Sequence, residues 1–173
     1  MILRLFKPSN LTIQSGFPMD EEIDTLWRGC MPARGFALVR DSKYYKHRFR
    51  DHPLTKYNSH SFYIDGQLAC ILISCIKKDN NGNNIFFICD YLTNNKINFL
   101  YIINYIIQAH SHLPIHKYNF WCEKYSKHYF WALFSGFIGG SSVPTIFFDS
   151  TKDSELMRPT LEMDFHLASS DNI

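Results

Sequence analysis

Paired cysteines are what this 173-residue sequence most plainly lacks: Cys30, Cys70, Cys75, Cys89 and Cys122 are odd in number and show no C-x-x-C spacing. A disulfide framework is therefore not expected, and reduced thiols suit a cytoplasmic chain; Cys70, Cys75 and Cys89 lie in apolar runs and read as core. Charge of one sign is missing too. Eighteen Lys and Arg stand against 16 Asp and Glu, for a net charge of +2, and a sequence pI near 8.2 falls short of a nucleic-acid footprint, so no such partner is expected. Long hydrophobic runs are absent as well. The apolar stretch from Ile97 to Ala109 is interrupted by Asn98 and Asn104, and MILRLFKPSN at the start has no small-residue cleavage site, so neither a membrane segment nor a secretion signal is expected. Proline is scarce, at 7 residues, while 46% of the chain is hydrophobic and 16% aromatic, a composition that excludes disorder and fits one folded domain.

The pattern along the chain predicts an α/β domain. Residues 1–19, with Pro8, Gly16 and Pro18, read as an irregular lead-in; 20–168 read as the domain and 169–173 as a frayed tail. An acidic start at Asp20, Glu21 and Glu22 predicts a helix to Arg28. A strand over Phe36–Val39 and a basic, aromatic helix from Asp41 to Phe49, ended by Pro53, follow. Three β-rich runs, Ser61–Ile64, Gln67–Ile76 and Ile85–Asp90, are separated by Asp65-Gly66 and by the Asn/Gly-rich KKDNNGNN, which predicts an antiparallel meander. Asn94 or Asn95 can then cap a helix carrying Phe99, Ile102, Ile103, Ile106 and Ile107 on one face. A strand over Tyr118–Cys122, a helix over Ser126–Phe134 closed by Gly136, a strand over Val143–Phe148 and a last one near Leu161–Leu167 complete the expected order.

Several side chains invite a chemical reading. Arg48, His52 and Tyr57 stand in a basic, aromatic segment and could together hold a phosphate or sugar hydroxyls, Arg supplying a fork of donors and Tyr a stacking face; alternatively Arg48 pairs with Asp51 or Asp41 on a solvated helix. HSHLPIH places His110, His112 and His116 close in sequence, but Leu113-Pro114 breaks the helix between them and no metal is expected. Cys122 with His128 offers a nucleophile and a base, although a Cys beside Trp121 reads more simply as packing.

The order meander, helix, strand, helix, strand resembles the core of GNAT acetyltransferases, and WCEKYSKHYFWALFSGFIGG resembles its helix ending in Gly-Phe, here Gly136-Phe137. Three further segments are similar to GNAT-like domains of bacterial surface-polysaccharide biosynthesis, which often occur as tandem pairs, and to their C-terminal half. They are EEIDTLW with GFALVRDSKYYKHRFRDHPLTKY, where His47 replaces a usual Trp; ICDYL with Asp90; and MDFHLASSDNI, where Ala168-Ser169 replaces a usual Gly-Asp.

That resemblance implies a mixed, mainly antiparallel sheet flanked by helices. It also implies a cleft between two splaying strands for the pantetheine arm of acetyl-CoA or another acyl-CoA, and transfer to the amine of an amino-sugar or polysaccharide precursor. Asp90 and Glu123, at the ends of the two strands, become candidates for taking the amine proton. The family's leaving-group Tyr corresponds to Ala132, leaving Tyr129 and Tyr125, one and two turns earlier on that helix, as the hydroxyls that could substitute. Leu92, Thr93, Asn94, Asn95 and Lys96 occupy the place of the cofactor loop, where the family's glycines are missing. The alternative is a non-catalytic half that works with a second GNAT-like domain or in a homodimer.

Overall fold

A computed structural model describes residues 7–31, 36–120, 122, 127–134, 136–138 and 163–164. Its elements are β1 (Leu11–Ser15), α1 (Asp20–Cys30), β2 (Phe36–Ala37), α2 (Ser42–Tyr45) running into a π-helical turn at Lys46–Arg50, β3 (Asn58–Ile64), β4 (Gln67–Lys78), β5 (Asn84–Thr93), α3 (Phe99–Ala109), β6 (Ile115–Phe120), α4 (Lys127–Phe134) and β7 (Met163–Asp164). Five strands form a sheet in the order β1-β3-β4-β5-β6, antiparallel except for the parallel pair β5–β6; β2 and β7 form a separate parallel pair. The expected strand over Val143–Phe148 lies outside the described residues. No helix among the described residues is long and apolar enough to cross a membrane.

Local chemistry accounts for most boundaries. The β3–β4 hairpin turns on Asp65 (φ 51°) and Gly66 (φ 76°), the double positive φ that a two-residue turn of this twist requires. In the β4–β5 loop the Asp79 carboxylate accepts N–H bonds from Asn81 and Asn83, at 2.9 and 2.8 Å. Helix α1 begins where Glu22 reaches back to accept the Met19 N–H at 2.9 Å. Helix α4 ends in a left-handed Gly136 (φ 91°), with the Gly136 N–H bonded to the Leu133 carbonyl and the Phe137 N–H to that of Ala132, a Schellman closure.

The lead-in expected over 1–19 is corrected in part. Leu11–Ser15 is a strand paired antiparallel with Ile64–His60, and the pairing is extended by the Gly16 N–H to the Ser59 carbonyl at 2.9 Å. Five residues between a proline and a glycine carry too little alternation to announce a strand; the open edge of β3 supplies the reason for it. Asp90 does not end its strand, since β5 continues to Thr93, and β6 starts at Ile115 rather than Tyr118.

The helix cap also moves. Asn98, not Asn94 or Asn95, caps α3 by accepting the Leu100 N–H at 2.9 Å, because Asn95 is left-handed (φ 63°) and holds the chain in a turn until Ile97 is buried. Replacing Asn98 with Ala is expected to lower stability by about 0.5–2 kcal/mol, read as a shift of the urea midpoint at unchanged slope.

The sheet separates two apolar clusters. Alternate residues Ile71, Ile73 and Cys75 of β4 pack against Ile23, Leu26 and Trp27 of α1 and Tyr45 and Phe49 beyond it. On the other face Phe62, Leu72, Phe86 and Ile88 meet Phe99, Ile102, Ile103 and Ile106 of α3 and Ala132 of α4. His60 is buried on this second face, its ring edge-on to Tyr105 (6.1 Å) and His110 (5.5 Å). Burial first, and then the neighbouring His110, lower its pKa from 6.5 to about 4. The unfolded chain therefore binds the extra proton first. The associated stability is present above pH 6.5 and is lost as pH falls toward 4, with a slope approaching about 1.4 kcal/mol per pH unit. Urea unfolding of the wild type and His60→Phe across that window checks it, since the variant lacks this component.

Candidate functional site

Two features of β5 coincide. In the β4–β5 ladder Ile73 pairs with Asp90 and Ser74 with Ile88, so Cys89 is an extra residue, a β-bulge. On the opposite edge the parallel ladder with β6 runs from Asn84 to Ile88, where it meets Phe120. Among the described residues, Cys89–Thr93 thus has a strand neighbour only on the β4 side. One side of this segment is aromatic: Tyr91, Phe99 and Phe120 lie with ring centroids 5.2–5.6 Å apart, and Phe137 stands 6.3 Å from Phe120.

The bulge also breaks the alternation of faces. Cys89 packs on the α1/α2 side, its Sγ 3.6 Å from that of Cys75, and Asp90 follows on that same side. There its Oδ1 lies 3.8 Å from Nε of Arg40, the two side chains being 0% and 2% exposed, and it accepts the Tyr91 N–H at 2.9 Å. Tyr44 and Tyr45 share this environment. Their hydroxyl pKa values are pushed well above the usual 10, first by burial and then by the Asp90 charge, with Arg40 opposing. Neither hydroxyl has a hydrogen-bond partner among the described residues.

Arg40 reaches this position because it immediately precedes α2, whose start is fixed twice. Asp41 accepts the Tyr44 N–H at 2.9 Å, and Asp24 of α1 accepts the Ser42 N–H at 2.8 Å. Arg40, Tyr44 and Tyr45 were not singled out by sequence reasoning. The available signal was an Arg-Asp step into a Tyr-Tyr helix, but its partner stands fifty residues away.

Arg48, His52 and Tyr57 do converge. Tyr57 is edge-on to Phe49 at 5.1 Å and to His52 at 5.5 Å. Its hydroxyl is raised by burial and then by Cys89 and Cys75, while Arg48 lowers it, which puts all of these groups near the bulge. His52 uses Nδ1 to accept the Thr55 and Leu54 N–H groups at 3.0 and 3.3 Å, so its other ring nitrogen is the one left for a ligand. The π-helical turn at Lys46–Arg50 carries Arg48 and buries Phe49 beneath it.

The segment expected to cradle phosphates is internally bonded. The Asn94 N–H goes to the Ala69 carbonyl (3.1 Å), the Asn95 N–H to Thr93 Oγ1 (3.1 Å) and the Lys96 N–H to Asn94 Oδ1 (3.1 Å). Leu92 is buried, whereas Asn95 and Lys96 are exposed. Of three donors that a glycine-rich loop would aim at a ligand, two are thus spent within the turn and one on the neighbouring strand β4. On α4, Ala132 is buried in the core, and Tyr129 is half-buried with its ring 5.9 Å from Phe130. Glu123 and Tyr125 lie outside the described residues. Among those described, no three His, Cys, Asp or Glu side chains are grouped to hold a metal.

No protein-family model and no curated protein matches the sequence. Solved structures do. A glucosamine-6-phosphate N-acetyltransferase from Arabidopsis thaliana superposes with a TM-score of 0.54 at 13% identity, over 80% of this chain and 99% of that one. An aminoglycoside acetyltransferase from an uncultured soil metagenomic sample, in complex with sisomicin, gives 0.54 at 10% identity, over 82% and 97%. The chain has the GNAT acetyltransferase fold: a five-stranded sheet flanked by helices.

Proposed function

We propose that the chain is a GNAT-type N-acyltransferase that moves an acyl group from acetyl-CoA or another acyl-CoA to the amine of an amino-sugar or polysaccharide precursor, in the cytoplasm. The observation that carries this reading is that Cys89–Thr93, from the bulge onward, has a strand neighbour only on the β4 side among the described residues. An extended, amide-bearing arm such as pantetheine can add to such an edge as a further strand would. The fold neighbours support the acceptor class, one being named for glucosamine-6-phosphate and the other holding an aminoglycoside.

In this reading Arg48, His52 and Tyr57 hold the acceptor. Asp90, locked against Arg40 with no exposed surface, acts as a positioning residue that fixes the bulge. Taking the amine proton then falls to Glu123 or to water, and Tyr129 is the hydroxyl nearest the role vacated at Ala132. Leu92, Thr93, Asn94, Asn95 and Lys96 flank the phosphate end, where Lys96 supplies charge and the backbone supplies few donors, so acyl-CoA affinity is modest.

The internal bonding of Asn94–Lys96 favours a second reading, a non-catalytic GNAT-like half that works beside a second such domain or a second copy. The exposed Phe130, Phe134 and Ile138 on and after α4 suit a partner's surface. Calorimetric titration with acetyl-CoA and with CoA separates the two. Saturable heat supports the enzyme, and none at millimolar ligand leaves only the partner role.

A further inference from the structure

A groove of about 370 Å³ lies on the β1/β3 side of the sheet, where β1 ends, β3 begins and α3 stops. Ile76 on its wall pairs with Phe86, three residues before Cys89, and His60 stands across Leu72 from Tyr91. The groove therefore borders the proposed acyl-transfer edge at roughly 10 Å, two strand spacings away, and shares Tyr57 with the acceptor-holding group. Phe17, Tyr57, Ser59, His60, His110 and Leu113 are among its lining residues, which include no Lys, Arg, Asp or Glu. His60 is its buried floor, 8% exposed, and neither ring nitrogen has a hydrogen-bond partner among the described residues; Ser59 Oγ has none either. Such groups are normally satisfied, since each left unpaired costs about 1–3 kcal/mol. His110 Nδ1 donates to the Ile106 carbonyl at 2.9 Å, which leaves Nε2 as an acceptor.

We propose that this groove binds a neutral, hydroxyl-rich ring, a monosaccharide in class, with His60 as its buried polar anchor. Donors and acceptors on His60 and His110, whose rings stand 5.5 Å apart, match vicinal hydroxyls, and the rings of Phe17 and Tyr57 line the same groove and can meet the C–H side of a sugar. An anion is disfavoured because the carbonyl end of α3 points toward the site and Arg50, which stands 5.4 Å over the Phe17 ring, is already paired with Asp20 at 2.9 Å. The volume suits one sugar ring with a few waters.

The test is a titration of the full chain with glucose, N-acetylglucosamine and inorganic phosphate in separate arms, read from the carbon-bound ring proton signals of His60 and His110. A saturable millimolar shift is expected with at least one sugar and not with phosphate. His60→Phe should abolish it while leaving the melting temperature no lower and the acetyl-CoA titration unchanged. Should that variant fail to fold, Leu113→Trp, which narrows the mouth, should weaken the sugar shift at least tenfold. The proposal is overturned if neither sugar moves the signals, if phosphate moves them equally, or if the sugar shift survives in the variant.

Discussion

Replacing Arg40 with Met is expected to destabilise the fold by about 3–5 kcal/mol, because it strips a buried carboxylate of its cationic neighbour. Asp90 has no exposed side-chain surface through which water could compensate, and Nε of Arg40 stands 3.8 Å from its Oδ1. Burial of Tyr44 and Tyr45 against the same pair keeps the region dry. Removing both charges is a different experiment. In Arg40→Met/Asp90→Leu neither ion remains to be solvated, so most of the lost stability should return, to within about 1 kcal/mol of the wild type. Equilibrium urea unfolding of the three proteins reads both outcomes; a single variant as stable as the wild type would show that the pair is not a structural lock.

That folded double variant is also expected to lose transfer. Asp90 is the residue immediately after the extra Cys89, and its ion pair with Arg40 and the hydrogen bond it accepts from the Tyr91 N–H fix how β5 leaves the shared ladder. A displacement of about 1 Å at a reacting centre can lower a rate 10²-fold, so kcat should fall by about that factor. KM for the acyl donor should stay within about twofold, because in the proposed binding mode the arm lies along the rest of the edge. Asp90→Glu, which keeps the charge, should recover part of kcat. Steady-state turnover of the double variant at the wild-type rate would remove the pair from the mechanism.

The readable and unreadable parts of this sequence divide by range. Asp65-Gly66 and the Asn/Gly-rich loop announced the meander because turn chemistry is local, and the stripe from Phe99 to Ile106 announced α3 for the same reason. Asn94 and Asn95 were the expected caps of that helix, and Asn98 takes the role because of the left-handed backbone at Asn95 and the burial of Ile97. The bulge left no local mark, since nothing in ICDYL, read as a strand ending at Asp90, signals an extra residue until β4 sets the register. Arg40 meeting Asp90, and β1 joining the edge of β3, depend on residues fifty apart in sequence. The lack of glycine between Asp90 and Phe99 was visible at once. That the resulting turn would use its own N–H groups was not, because it depends on Ala69 and on the rotamers of Thr93 and Asn94.

Amide spectra of the isotopically labelled chain during addition of acetyl-CoA test the proposed binding of the acyl arm along Cys89–Thr93 most directly. Signals of Cys89–Thr93 should move in a saturable way while those of Phe86–Ile88, bonded to β6, stay in place. Shifts confined to the paired stretch, or none anywhere at millimolar ligand, would contradict the account.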